Sequence, residues 1–522
     1  MKIRNAFPWM VIAILASGAV ARAQDATPTA GPAAQTSEQA SASAGDHVAT
    51  TAETVPVTTR SLTARRAYEM GMVQREDRLF VDEGLEFFRE AVKADPQFAL
   101  GHAALGYFTT DPKEEKRESS LAVKFISNAT PDEQLLIRWM NGTKNGDLVP
   151  AISAMNDLLA KYPNDERLAN MAAEWLCSNQ AAYEHGEAIL ERLLKNDPRY
   201  FPAMNNLAYC YAYSGQARLA PPLMDQYVAA LPNEPNPQDS YGEIMRMLED
   251  YPAALEHYHK ALQINAHFNP SQVGIASTYA LMGDEKEARA AYLIAMKGTK
   301  ERSTQLNYRM LWAMTYYRED HLQQARQEFA KLAVEAHTEG LPLQEAEIHR
   351  TMALFNPNPA GALKDLDEAR AVLAEPHKML PGDREAELAS ILQTRAILAA
   401  TAGKLEVAQA ALKPLSAMAQ NSRSTPVQKS YHSANGAVLY AQGDYAGAIT
   451  ELQEDAQNPL SLRLMVTAQV KAGQAADAQK TLETLAAISD ERVETACAVP
   501  EARASLKNDA TQTAQRGGHR PM

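Results

Sequence analysis

The sequence is poor in cysteine, in aromatic residues and in excess positive charge, and each shortage narrows what the chain can be. Three cysteines among 522 residues, Cys177, Cys210 and Cys497, cannot build a disulfide framework, and nothing about them resembles a zinc-binding spacing. Aromatics make up 7% of a chain that is 46% hydrophobic, so the apolar content rests mainly on alanine and leucine, which suits helices. There are 51 Lys and Arg against 64 Asp and Glu, a formal charge of -13. A general nucleic-acid binder needs a basic footprint that releases counterions, and this balance argues against one. No strand-period run, βαβ pattern or glycine-rich phosphate loop interrupts the chain. The length exceeds what one compact core usually holds, so several domains or a repeat array are expected.

Long apolar runs are also missing, apart from one at the start. Lys2 and Arg4 precede the apolar stretch from Met10 to Val20, and Ala21-Arg22-Ala23 follows with small residues where a signal peptidase reads. The reading is a signal peptide over 1–23, cut after Ala23, with an uncleaved anchor as the alternative. The run falls short of the ~20 residues that a membrane span needs. No Cys adjoins the cut, which argues against a lipid anchor. Removing 1–23 deletes three bases and leaves a mature charge of -16. The expected location is therefore periplasmic or secreted, with no integral span after signal removal. Residues 24–60 hold Ala, Thr, Ser, Gln and Pro with few large apolar side chains, and read as a disordered linker. A polar tail, 508–522, reads as frayed.

Between these ends one spacing recurs. Gly215 leads by five residues to Ala220, Gly283 to Ala288, Gly403 to Ala408, Gly443 to Ala448 and Gly473 to Ala478. Glu249 to Ala254 and Asp320 to Ala325 keep the offset with an acid in place of glycine, and Pro357 to Ala362 with a proline. Gly186, Ala220, Ala254 and Ala288 lie 34 apart each time. Asp95-Pro96, Tyr162-Pro163, Asp197-Pro198 and Leu231-Pro232 close second helices, because proline cannot continue the hydrogen-bond ladder. About twelve helix pairs are expected, followed by a last helix over 491–507.

In the unit Pro202–Pro232, Met204, Leu207, Ala208 and Tyr211 sit on the first helix, and Ala220, Met224 and Tyr227 on the second. Tyr241, Gly242, Ala254 and Tyr258 keep this phase, as do Ala276, Tyr279, Ala288 and Tyr292, then Trp312, Ala313, Ala325 and Phe329. At these positions the sequence resembles the tetratricopeptide (TPR) repeat, of a secreted bacterial type. The resemblance runs over 61–490, strongest at 183–332 and 396–485, and weak at 62–160 and 341–395. It implies an all-α fold, an α-solenoid wound as a right-handed superhelix.

Catalytic, cofactor and metal arrangements are absent from the sequence pattern. His257 and His259 lie two apart on a helix and so face apart, as solvated histidines. Asp111, Glu114, Glu115 and Glu118 read as a solvated helix start laced with ion pairs to neighbouring Lys and Arg. Cys177 and Cys210 are 33 residues apart, nearly one repeat. Helix phase sets them on different faces, so two buried or groove thiols are expected, with pairing left open.

The resemblance implies that one stripe of each first helix lines the inner surface. That stripe carries Asn170, Glu174 and Cys177, then Asn205, Tyr209 and Tyr213, then Asp239, Glu243 and Arg246, and later Met310, Met314, Tyr317 and Arg318. Tyr, Arg and Met are what binding surfaces enrich. Relatives that clamp a peptide carboxylate use Lys, Arg and Asn here; only the Asn positions match, which argues against that mode. The expected function is a non-catalytic scaffold of the bacterial cell envelope, binding protein or peptide along its concave groove. The alternative is a ligand-binding subunit or enzyme with its substrate inside the superhelix. A convergent set of Asp, Glu or His with shifted pKa in a closed cavity would favour the alternative.

Overall fold

The computed structural model describes residues 54–77, 81–374 and 379–517. The expected signal peptide and most of the linker lie outside the described residues, as do the last five residues of the tail. Within them are 25 α-helices and no strand. They form twelve helical hairpins followed by the single helix Val493–Gly517.

Local sequence explains the hairpins. Gly215, Gly283, Gly403, Gly443 and Gly473 take positive φ, between 69° and 86°, where a Cβ would be strained. Glu249 and Asp320, the acids that replace glycine at this offset, adopt φ of 62°. Second helices end at Ala94, Lys161, Asn196 and Ala230, just before the X-Pro pairs. Ala220, Ala254, Ala288, Ala325, Ala408 and Ala448 are fully buried, so successive hairpins pack backbone-close. The core is a chain of apolar clusters shared between neighbouring hairpins, as stacking requires.

The stretches with weak repeat pattern are hairpins as well. Between 62 and 125, large side chains fill the space that small ones spare elsewhere: Phe88 stacks on Phe108 at 5.5 Å, and Tyr68 meets Phe98 edge-on at 5.5 Å. The acidic helix start in this region is not solvated. Glu114, Glu115 and Glu118 are buried, and each meets a basic group from a neighbouring helix: Arg89 at 2.6 Å, Lys144 at 2.7 Å and His102 at 2.5 Å. Helix period alone could not reveal this, because the partners sit on other helices. Residues 54–60, expected in the linker, lie against the array. The Val55 amide donates to Asp165 Oδ2 at 3.0 Å, the Thr59 hydroxyl to Asp95 Oδ2 at 2.5 Å, and Val55 and Val57 pack on the first apolar cluster. The last helix runs on to Gly517, past the expected end at 507.

The solenoid also winds back on itself. Thr425 Oγ1 donates to Gln180 Oε1 at 3.1 Å across 245 residues. Tyr251 and Ser489 share a 2.8 Å hydrogen bond across 238 residues. These separations are about seven units of 34, one turn of the array. The stretched spacing between Ala362 and Ala408 belongs to this closure. There the long helix Pro381–Thr401 reaches the helix Pro131–Asn145. A Cβ on Gly382 would come within 2.6 Å of the Lys144 carbonyl oxygen, so only glycine allows the approach.

Candidate functional site

Three consecutive first helices, Glu166–Ser178, Phe201–Tyr213 and Pro235–Met247, line a hollow on the inner face of the array. Each presents residues at i, i+4 and i+7 or i+8, one stripe of a 3.6-residue helix. Two adjoining cavities result, of about 70 and 50 Å³, and both are bordered by Asn205 and Tyr209. Asn170, Glu174 and Tyr213 line the first, and Asp239, Glu243 and Arg246 the second.

The second compartment is a closed polar network. Tyr209 donates its hydroxyl proton to Glu243 at 2.9 Å, and Arg246 donates to Glu243 at 3.1 Å and to Glu491 at 2.5 Å. Arg246 is 3% exposed, so it is not the free groove cation that the sequence stripe implied. Burial works against its charge, but Glu491, Tyr258 and Glu243 outweigh that and raise its pKa. Ser271 donates to Asp239 at 2.6 Å. Burial nevertheless lifts the Asp239 carboxyl to about 7, helped by the negative charge of Glu243.

The first compartment is less saturated. Asn170 Oδ1 accepts from Asn206 at 3.0 Å. Asn205, 5% exposed, has no partner for Oδ1 among the described residues. Glu174 is exposed to water yet sits deep in the hollow, and desolvation raises its carboxyl against the pull of Arg75. Desolvation likewise pushes the Tyr209 and Tyr213 hydroxyls well above the usual range.

Cys177 and Cys210 are joined by a disulfide of 2.04 Å, which corrects the expectation of two separate thiols. Side-by-side helices touch through opposite flanks. The 33-residue spacing, one short of the repeat, turns Cys210 by about 100° toward its neighbour. Different faces were therefore the condition for pairing. The bond clamps the two helices that carry Asn170 and Glu174 on one side and Asn205 and Tyr213 on the other.

The later members of the stripe do not join the hollow. Met314 is buried in an apolar cluster with Leu306 and Phe329. Tyr317 stacks on Phe355 at 3.7 Å. Val493, Ala496 and Cys497 of the last helix cover this cluster, so the helix occupies the ground that repeat phase assigned to a guest. Arg318 is half-buried, and its Nη1 has no partner among the described residues.

No family model matches the chain. The TPR repeat-containing protein YpiA of Bacillus subtilis (strain 168) is 25% identical over 177 residues, 34% of this chain. The chain spans 40% of the length of that curated relative. The array is a TPR-like solenoid. Among solved structures, the Cut9-Hcn1 hetero-tetramer of APC/C is 15% identical, covering 83% of this chain and 78% of that one with a TM-score of 0.40. A tetratricopeptide repeat protein from Parabacteroides merdae is 13% identical, covering 48% of this chain and 99% of that one at 0.35. A thermophilic TPR protein of Thermus thermophilus is 21% identical, covering 33% and 91% at 0.29.

In the TPR-like array, repeat phase located Asn170, Asn205, Tyr209, Asp239 and Glu243 but missed their partners. Arg75 and Phe108 border the first compartment, and Arg75 comes from a short π-helical turn, Val73–Asp77, outside the repeat pattern. Glu491 comes from the loop before the last helix, 245 residues from Arg246. No local signal marks such a residue. Asn206 was findable, since it adjoins Asn205 on the same helix turn.

Proposed function

We propose that this chain is an exported, non-catalytic scaffold of the bacterial cell envelope that takes a segment of a partner protein into its hollow. The observation that carries this reading is the convergence of three consecutive first helices on one hollow with unsatisfied polar groups. Buried polar groups are ordinarily paired, so Asn205 Oδ1 and Arg75 Nε at this hollow have hydrogen bonds left to offer a partner. The export reading is supported by the basic-then-apolar start ending in Ala21-Arg22-Ala23. It is also supported by the Cys177–Cys210 disulfide, since such bonds persist in oxidising compartments. Among the described residues no helix is long and apolar enough to cross a membrane. A photo-crosslinking residue at Tyr213 tests the binding face, with exposed Val334 as the control. We expect a partner protein to be trapped from Tyr213; trapping from Val334 alone would move the binding surface out of the hollow.

One observation favours the second reading, a ligand-binding subunit. Asp239, with its carboxyl lifted to about 7, sits beside Glu243 on a partly open cavity of about 50 Å³. A small-molecule site commonly shows such perturbed groups in a concave pocket.

A further inference from the structure

The first compartment holds two opposite charges that do not meet. Arg75 lies over the Phe108 ring at 5.1 Å, and its Nε is buried with no hydrogen-bond partner among the described residues. Glu174 borders the same cavity and feels the Arg75 charge, yet no ion pair joins the two. Glu174 keeps contact with water and Arg75 is half-buried, so each charge is still open to a ligand. They come from different elements: Glu174 from Glu166–Ser178, which the disulfide ties to the next first helix, and Arg75 from the turn Val73–Asp77. Between them lies a cavity of about 70 Å³, several times the ~10–15 Å³ that one water needs. Asn205, whose buried Oδ1 has no partner among the described residues, borders the same space.

We infer that this compartment binds a small zwitterion, a free α-amino acid. Its ammonium goes to the Glu174 carboxylate and Asn205 Oδ1, both acceptors. Its carboxylate goes to the Arg75 guanidinium, the donor the cavity leaves unused. Phe108, Pro202 and the Tyr209 and Tyr227 rings give the remainder an apolar side, opposite the polar Asn170 and Asn206, so the side chain it accepts lays an apolar face on those rings. A simple amine leaves Arg75 unpaired and repelled, and a simple carboxylate does the same to Glu174. Only a ligand with both charges satisfies both walls. This inference goes beyond the partner-scaffold reading and does not need it.

The test uses the full mature chain with three probes: L-leucine, its decarboxylated amine isopentylamine, and its deaminated acid 4-methylpentanoate. A thermal-shift screen of the twenty amino acids precedes it, and calorimetric titration gives affinities. We expect an apolar amino acid to raise the melting temperature saturably, with amine and acid analogues at least about tenfold weaker, as loss of one charge-assisted bond implies. Glu174→Gln, which removes a charge that desolvation already disfavours, should weaken binding by about tenfold without lowering the ligand-free melt. Arg75→Met gives the matching loss on the carboxylate side. No shift with any amino acid at millimolar concentration, or equal affinity for isopentylamine, would overturn the inference. Partner crosslinking at Tyr213 without amino-acid binding sinks this inference and leaves the scaffold reading intact; the reverse result sinks only the scaffold.

Discussion

At the scale of single residues, the hollow runs on carboxylates held against their solution behaviour. Asp239 has its carboxyl near 7 because burial and Glu243 both oppose its charge. The folded chain therefore holds a proton there that the unfolded chain releases near 4. Its contribution to stability is present in acid and is lost as pH rises from about 4 through 7. Asp239→Asn should raise the melting temperature at pH 8, change it little at pH 4, and flatten the slope between; melts across that range measure it. Gly186 shows a different constraint. Its counterparts 34 and 68 residues on are Ala220 and Ala254, but a Cβ on Gly186 would come within 2.3 Å of Cys177 Sγ. Gly186→Ala should cost about 1–3 kcal/mol by overpacking, and less when both cysteines are replaced by Ala. Urea unfolding of the single and triple variants measures the difference.

At the scale of elements, the turn between paired helices demands a left-handed residue. Gly283 adopts φ of +84° with open space around its missing Cβ, so Gly283→Ala should lose about 1 kcal/mol from backbone strain alone. Glu249 stands in the same conformation with a side chain, and its contact with Arg503 is half-exposed at 3.6 Å. Glu249→Gly should therefore gain about 0.5–1 kcal/mol, read by the same unfolding curves. This periodicity is why the hairpins were legible. A turn glycine and an alanine five residues on are local demands that recur wherever a hairpin does. The disulfide was not legible, because single-helix phase describes each cylinder and not the flanks through which two cylinders meet. The ion pairs expected within this helix are there, Arg117 to Glu114 and Glu118, but the burial of Glu114, Glu115 and Glu118 was misread for the same reason: Arg89, Lys144 and His102 reach them from other helices.

At the scale of the whole molecule, the decisive feature is that one turn of the array touches the next. Asn170, Glu174, Asn205, Tyr209, Asp239 and Glu243 could be placed on the inner stripe from repeat phase, since every unit repeats the same orientation. Arg246 and Tyr317 could be placed there too, but not their coverage by Glu491 and the helix Val493–Gly517, which have no counterpart in the repeat. Closure turns an open groove into a walled hollow, and it sets which polar groups stay free for a ligand. Breaking it should matter. Arg246→Ala leaves Glu491 and Glu243 without their shared cation, and should destabilise by about 3–5 kcal/mol, as for other buried pairs broken on one side. Arg246→Ala with Glu491→Gln should recover part of that loss, in a double-mutant cycle of unfolding free energies.

The winding itself is tested most directly by crosslinking between turns. Cysteines are placed at Gln180 and Thr425, which touch across 245 residues, with Cys497 replaced by Ser, and treated with a short bifunctional maleimide. A chain wound back on itself gives an internal 180–425 crosslink in high yield, found by mass spectrometry of the digested monomer. An open ribbon gives singly labelled cysteines and no such link, and would contradict the enclosed hollow.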